Sequence, residues 1–478
     1  MILMKNIFAL LMVTGMMVLP GYSCITNDQR PNIVFVLIDD LGYGDLGCHG
    51  NPVIKTPNID MLHEQSIRFT NFAVSPSCAP TRAAFMTGKS EFKSNVTHTW
   101  KGRNLMDLET VTIAGLLKES GYITGLFGKW HLGTSGDYRP ENRGFDETLN
   151  VPGDNQRSHY DPLLLRNGAE EKHDGYRTDI FFREAIEFIE RNKDEDFFCY
   201  IPTYTPHGPL VVPEAYSAPY RDMENVNAEY SGMVANIDKN VGLLMDKLTA
   251  LNLDENTLVI FMNDNGGTFG TDVHNAGMRG VKGTAWYGGI RASSFWRWPG
   301  KLAAGDRPQI AAHVDFLPTL ADIAGVTIPD EVKARLEGTS LLPLLLNPDA
   351  KWDKDRMLVH HRGRWDIEED YADHKYSFCT VRWQNYYLTR TQLCDDPGCK
   401  TGCRSWIEKS EMGGLYSNNP ENYRLTPGGD WSLFDMEKDL FQASDIAGDH
   451  PEIVEKMSNH YDLWWDDIIE KLDDYTDK

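Results

Sequence analysis

The sequence predicts an α/β sandwich around a mostly parallel sheet, followed by a smaller α+β unit. Three observations lead there. The stretches "NIVFVLIDD" (32–40), "DFFCYIPTYTPHGP" (196–209) and "TLVIFMNDNGG" (257–267) are continuous apolar runs that end in polar residues. Strands buried on both faces of a parallel sheet read this way, without alternation. Amphipathic helical patterns lie between them, over 178–192 and 230–248. Strands that alternate with helices build α/β layers. Past residue 356 the pattern changes to short strands, "RMLVHH" and "SFCTVRWQNYYLTR", and then to a helical segment, "HPEIVEKMSNHYDLWWDDIIEKL".

Taken in chain order, residues 7–19 are apolar and follow Lys5. That run is shorter than the ~20 residues a membrane-spanning helix needs, and it fits the core of a signal peptide. "GYSC" resembles a lipoprotein cleavage site, although Gly21 stands where leucine is usual. Two fates are open for an exported chain: a free periplasmic protein, or an outer-membrane lipoprotein anchored through Cys24. We divide the chain into a leader (1–24), a catalytic domain (30–350) closed by "IPDEVKARLEGTSLLPLLLNPDA", and a smaller C-terminal unit (351–478). A length of 478 residues exceeds what one compact domain usually holds. A net charge of −23 excludes nucleic acid as an expected partner and obliges any anionic substrate to find local cations. Of eight cysteines, Cys394, Cys399 and Cys403 crowd one turn-rich loop with no nearby histidine. Zinc spacing fits this poorly, and export favours disulfides among Cys379, Cys394, Cys399 and Cys403.

Open α/β sheets bind ligands beyond the carboxyl ends of their strands. Asp39, Asp40, His207, Asp264 and Asn265 all fall at or just past such ends. The two oxygen-rich pairs suit a hard cation, Ca²⁺ or Mg²⁺; either pair alone reads rather as a strand-end cap, and it is two pairs at two strand ends that favour a metal. Lys129 and His131 are two residues apart in "GKWH", a spacing that points both to one side of an extended segment. Lys282 sits among glycines in "MRGVKGTAWYGGIR", and His207 between prolines in "YTPHGPL". Singly, each reads as structural or solvated; convergence is what marks a site. Trp286, Tyr287, Arg157, His159 and "HHRGRW" (360–365) are candidates for a sugar subsite and equally for the interior.

"SPSCAPTRAAFMTGKS" (75–90) places Cys78 at the start of a helical run beside Arg82. A thiol there reads either as a thiolate nucleophile or as a buried structural cysteine. The order C-x-P-x-R, with Thr87-Gly88 following, also resembles the signature of the type I sulfatases, in which the cysteine is oxidised by a dedicated enzyme to formylglycine. "GYITGLFGKWH" resembles the second signature of that family. "LIDDLGYGDLGCHG" and "NDNGG" are similar to its two metal turns, and the likeness runs from about 32 to 445.

The resemblance implies an alkaline-phosphatase-like fold with a large mixed, mostly parallel sheet, and hydrolysis of a sulfate ester, expected on a carbohydrate. It implies that Asp39, Asp40, Asp264, Asn265 and the modified Cys78 bind Ca²⁺, and that Arg82 holds the side chain at 78. Lys129 and Lys282 then bind sulfate. His131 serves as base, and His207 as acid for the leaving oxygen, with Lys282 able to share that role. One hydroxyl of the hydrated aldehyde attacks sulfur; the second loses its proton and expels sulfate. The implied partners are a sulfated sugar and a formylglycine-generating maturation enzyme. The chain departs from the pattern at Tyr287, Ala292-Ser293 and Asn263. Three readings compete: a formylglycine-dependent phosphonate or phosphate ester hydrolase of the same superfamily, a cysteine-thiolate hydrolase, which needs a Cys–His pair, and a non-catalytic glycan-binding relative.

Overall fold

The computed structural model describes residues 30–100, 102–153, 158–365, 370–391 and 429–476. Ten strands form the main sheet: β1 (Asn32–Asp39), β2 (Ile67–Phe69), β4 (Ile123–Phe127), β5 (Glu147–Asn150), β6 (Leu163–Arg166), β7 (Ala169–Lys172), β8 (Phe197–Pro206), β9 (Thr257–Asn263), β10 (Ser294–Arg297) and β11 (Gly305–Arg307). Their order is β11-β2-β10-β9-β1-β8-β4-β5-β6-β7. β3 (Phe72–Ala73) and β12 (Ala311–Ala312) make a separate two-stranded pair. The central strands β9, β1, β8, β4 and β5 pair in parallel. β10 is antiparallel to both its neighbours, as are β5–β6 and β6–β7. The sheet is therefore mixed and parallel at its centre, in agreement with the sequence.

β1 shows why its run is continuously apolar. Ile33, Phe35 and Leu37 enter the core on one face, and Val34, Val36 and Ile38 enter the core on the other. Successive strand side chains point to opposite faces, and here both faces are covered. Full burial of each such side chain contributes about 1.5–3 kcal/mol. The helices Arg177–Arg191 and Ala228–Ala250 close the second face.

A four-stranded antiparallel sheet follows: β13 (Met357–His361), β14 (Cys379–Trp383), β15 (Tyr386–Arg390) and β16 (Ser432–Asp435). The helix Pro451–Thr476 lies on it through Met457, Tyr461, Trp465, Ile468 and Leu472. Their spacing of four and three residues is one helical stripe. Among the described residues Cys379 is a free thiol, and Cys394, Cys399 and Cys403 lie outside them, as do Cys24 and the leader. No described helix is long and apolar enough to cross a membrane.

Candidate active site

Four neighbouring strand ends build the site. β1 ends at Asp39, and Asp40 turns away with φ 65°. β9 ends at Asn263, just before Asp264-Asn265; β8 ends one residue before His207. β4 ends at Phe127 and reaches Lys129 through Gly128, at φ 140°. A Cβ at 128 would stand 1.8 Å from the Pro202 carbonyl oxygen. Only glycine lets Lys129 N–H close onto that same carbonyl at 2.7 Å. The opposite wall is the helix Cys78–Thr87, which ends on Gly88 at φ 68°. Lys282 is carried in by a loop whose backbone binds both sides: Lys282 N–H donates to Gly267 O at 3.0 Å, and Gly283 N–H to Pro76 O at 2.7 Å.

The charges interlock. Lys129 Nζ, on a side chain 1% exposed, donates to Asp39 Oδ2 at 2.6 Å and lies 3.6 Å from Cys78 Sγ. Lys282 Nζ donates to Asp40 Oδ1 at 2.6 Å, and Asn265 Nδ2 to the same oxygen at 2.9 Å. Arg82 donates through Nε and Nη2 to Asp264 Oδ2 at 2.9 and 2.7 Å, and through Nη1 to the Lys129 carbonyl at 2.7 Å. His207 donates from Nδ1 to Gly208 O at 2.7 Å and turns Nε2 towards Asp40 Oδ2, 3.7 Å away. Burial opposes charge on Asp39, but Lys129, His207, Arg82 and Lys282 together hold its carboxyl far below the usual range. Burial, then the charge of Asp39, push Asp264 the other way, against Arg82.

This arrangement fits a hard cation. Ligand atoms of Asp39, Cys78 and Asp264 lie within 4.8 Å of one another. Asp39 Oδ1 and Asn265 Oδ1 are buried with no hydrogen-bond partner among the described residues. A buried oxygen without a donor is costly unless something positive meets it.

Asp39, Asp40, Cys78, Arg82, Lys129, His207, Asp264, Asn265 and Lys282 come together here, while other expectations are met differently. Lys129 and His131 do not share one side of a strand, because β4 has already ended and His131 sits at φ 67°, with Nε2 donating to Thr99 O at 2.8 Å. Trp286 and Tyr287 are core residues rather than a sugar platform: Arg279 lies over Trp286 at 3.6 Å, and Tyr287 donates to Asn71 Oδ1 at 2.9 Å. His159, His360, His361 and Trp365 are buried as well, and Arg157 lies outside the described residues. For a thiolate hydrolase the needed pair is missing: among the described residues the hydrogen-bond partner of Cys78 Sγ is Lys129, not a histidine.

Sequence reasoning missed Asp45 and Tyr230, which brace the Asp40 turn. Tyr230 Oη lies 3.0 Å from Asp40 O and 2.5 Å from Asp45 Oδ2, its one proton serving between them, and Gly42 N–H donates to Asp45 Oδ2 at 2.6 Å. The signal was present in "GYGDLG", an acid set among turn glycines. Burial pushes Asp45 up to about 7, with the Tyr230 and Gly42 donors pulling down. The folded chain thus keeps a proton that the unfolded chain loses near pH ~4, so this residue's contribution to stability declines as pH rises from about 4 to about 7. Asp45→Asn keeps an acceptor for both donors and should abolish that decline. Urea unfolding is expected to show the variant gaining on wild type by about 1–3 kcal/mol between about pH 5 and about pH 8.

The family model described as Sulfatase matches residues 31–326. Human arylsulfatase A is 33% identical over 471 residues, covering 90% of this chain and 86% of the relative. Human N-acetylgalactosamine-6-sulfatase is 30% identical over 399 residues, covering 75% and 74%. Among solved structures, that of Ps i-CgsB in complex with k-i-k-neocarrahexaose superposes with a TM-score of 0.74 at 28% identity, covering 91% of this chain and 93% of that one. The family match spans every strand of the main sheet and all the site residues above, and the relatives align over most of their own length. This chain belongs to the sulfatases, the sulfuric ester hydrolases of the alkaline phosphatase superfamily.

Proposed function

We propose that the protein removes sulfate from a sulfated carbohydrate, using a formylglycine derived from Cys78 and a bound Ca²⁺. The observation that carries this is the ring of Lys129, Lys282, Arg82 and His207 around Cys78 and the oxygen-rich strand ends. It is a local positive lining on a protein of net charge −23. The names of similar proteins support the substrate class, since one is an N-acetylgalactosamine-6-sulfatase and another was solved with a neocarrahexaose.

Asp39, Asp40, Asp264 and Asn265, with the side chain at 78, would hold the cation. Bound there, Ca²⁺ supplies a fixed positive charge beside the sulfate oxygens and the nucleophile. An aldehyde at 78 supplies, once hydrated, a hydroxyl to attack sulfur and a second hydroxyl whose deprotonation releases sulfate. Lys129 and Lys282 neutralise sulfate oxygens where charge develops. Arg82 acts from behind, fixing Asp264 and the Lys129 carbonyl. His131 donates from Nε2, so Nδ1 is its basic nitrogen for the hydroxyls at 78. His207 turns Nε2 towards the site, with the side chain 29% exposed, and is the group placed to deliver a proton to the leaving sugar oxygen. The leader and Cys24 suit export to the periplasm or outer membrane, and the aldehyde requires a maturation enzyme in the producing cell.

Two measurements test this. Position-defined sulfated sugars, phosphonate diesters and an activated aryl sulfate should be compared in wild type and His207→Ala. A sugar alkoxide needs a proton as it leaves, whereas an aryloxide does not. The variant should lose about 10²–10⁴-fold on the sugar sulfate and far less on the aryl sulfate. Equal losses on both would make His207 a sulfate ligand, and a wild-type preference for phosphonate diesters would overturn the sulfatase reading. For the metal, exhaustive EGTA should lower melting temperature and activity together, with Ca²⁺ restoring both. Indifference of both to EGTA would contradict a bound Ca²⁺.

A further inference from the structure

A second cluster of metal-ligating side chains lies apart from the catalytic residues, and none of its members takes part in the reading above. One imidazole nitrogen each of His49 and His63, and the sulfur of Cys48, lie within 4.8 Å of one another. They border a cavity of ≈ 390 Å³ whose wall also includes Arg68, Arg291 and Asp306. We propose that Cys48, His49 and His63 form a binding site for a borderline-soft divalent ion, Zn²⁺, distinct from the hard-oxygen site at Asp39, Asp40, Asp264 and Asn265.

The local fold builds this cluster deliberately rather than by loose surface proximity. Cys48 and His49 belong to a single helical turn, Gly47–His49, and His63 to the last turn of the helix Pro57–Glu64. That helix holds the turn directly: Cys48 N–H donates to Asp60 Oδ1 at 2.8 Å, and Gly47 N–H to Thr56 Oγ1 at 2.8 Å. A Cβ on Gly47 would stand 2.5 Å from Asp60 Oδ2, so the turn is pressed against the helix. His63 lies three residues beyond Asp60, on the same helical face. The residue that fixes the turn thus also sets where His63 stands.

The ligand atoms have suitable chemistry. His49 stacks on Tyr43 with ring centroids 3.6 Å apart, and its Nδ1 donates to Tyr43 O at 2.8 Å. This leaves Nε2 as the nitrogen with the lone pair. An imidazole whose other nitrogen donates to a carbonyl is the usual orientation of a metal ligand. The His63 ring forms no hydrogen bond among the described residues and lies T-shaped to the rings of His49 and Phe295, with centroids 5.7 and 5.0 Å apart. Burial keeps both imidazoles neutral near pH 7, with His49 pushed down to about 3 and His63 also lowered. Burial and then Asp60 favour the protonated thiol of Cys48. Zn²⁺ must therefore displace a proton: the S–H bond breaks, a Zn–S bond forms, and the proton passes to Asp60 or water. One sulfur and two nitrogens match zinc and mismatch Ca²⁺. Three protein ligands facing a cavity leave the fourth position for water or a small anion.

Co²⁺ and Zn²⁺ titrations of the full chain, kept in Ca²⁺, test the assignment. The site should give the visible bands of tetrahedral Co²⁺ and a thiolate-to-cobalt charge-transfer band, both removed by one equivalent of Zn²⁺. Cys78→Ala should keep these bands. Cys48→Ser and His63→Gln should lose the charge-transfer band or weaken binding at least about tenfold, since even outer-shell losses cost that much. Their metal-free melting temperatures should match wild type, which separates ligand loss from misfolding; if one variant fails to fold, the other decides. Unchanged binding in a folded Cys48→Ser or His63→Gln would overturn the proposal. So would bands that vanish in Cys78→Ala and persist in Cys48→Ser, or no Co²⁺ band in wild type.

Discussion

Cys78→Ala is expected to lose on the order of 10⁶-fold in turnover, the scale on which removal of a nucleophile falls, while the protein remains folded. Two structural facts separate the outcomes. Cys78 is buried at the first turn of its helix, beside Lys129 and within reach of Asp39 and Asp264. Nothing else among the matched residues offers a nucleophile at that position. The sulfur, however, bears little of the framework: Lys129 keeps its 2.6 Å bond to Asp39, and Arg82 keeps Asp264. Alanine should therefore leave the melting temperature nearly unchanged. Peptide mass analysis of active enzyme should find an aldehyde at 78. Active enzyme bearing only an unmodified thiol, or a Cys78→Ala variant with near-normal turnover, would remove the nucleophile from the proposal. Cys78→Ser should work only in a cell whose maturation enzyme accepts serine.

Arg82→Ala should destabilise the fold by about 3–5 kcal/mol, the cost of leaving one partner of a buried ion pair uncompensated. Arg82 is 1% exposed and Asp264 0%. Both Nε and Nη2 of the guanidinium close on one carboxylate oxygen, and Nη1 satisfies the Lys129 carbonyl. Burial and Asp39 already work against charge on Asp264, and Arg82 opposes them ahead of Lys129, so losing Arg82 removes the main positive partner of that carboxylate. Against a typical stability of 5–15 kcal/mol, the loss should appear as a large fall in urea midpoint with little change in slope. Arg82→Lys should fall between, because an ammonium cannot make the three-point contact. Removing both charges in Arg82→Met/Asp264→Asn should recover part of the loss. An Arg82→Ala midpoint equal to wild type would show that the pair contributes nothing net.

Much of the site was readable because of where parallel strands end. β1, β8 and β9 are the continuous apolar runs of the sequence, and Asp39, Asp40, His207, Asp264 and Asn265 stand at or just past their ends. Position along the chain then implied position in space. What stayed hidden depended on partners instead of periodicity. Nothing in "CAPTR" says that Arg82 would bind Asp264, 182 positions away. β7, "AEEK", is a charged edge strand without an apolar run. For Trp286, Tyr287, His360 and His361 the sequence leaves a sugar subsite and the interior equally open, because an aromatic beside a motif serves either; their burial decides. The turn at Gly128 that seats Lys129 depends on Pro202, which comes from another strand.

Depth of burial also sets a timetable. Cys78 is walled in by Lys129 from after β4, by the end of β9, and by the loop carrying Lys282, which is tied to the Cys78 loop through Gly283 and Pro76. Every one of those walls lies later in the chain. A ribosome emits the thiol long before the residues that enclose it, and long-range parallel pairing is slow to form. Any enzyme that alters Cys78 therefore works against a clock that stops when β9 docks beside β1. If Cys78 is matured by an enzyme, as proposed, mutations that hasten folding would trade stable protein for immature protein, and yield of soluble chain would cease to measure yield of working catalyst.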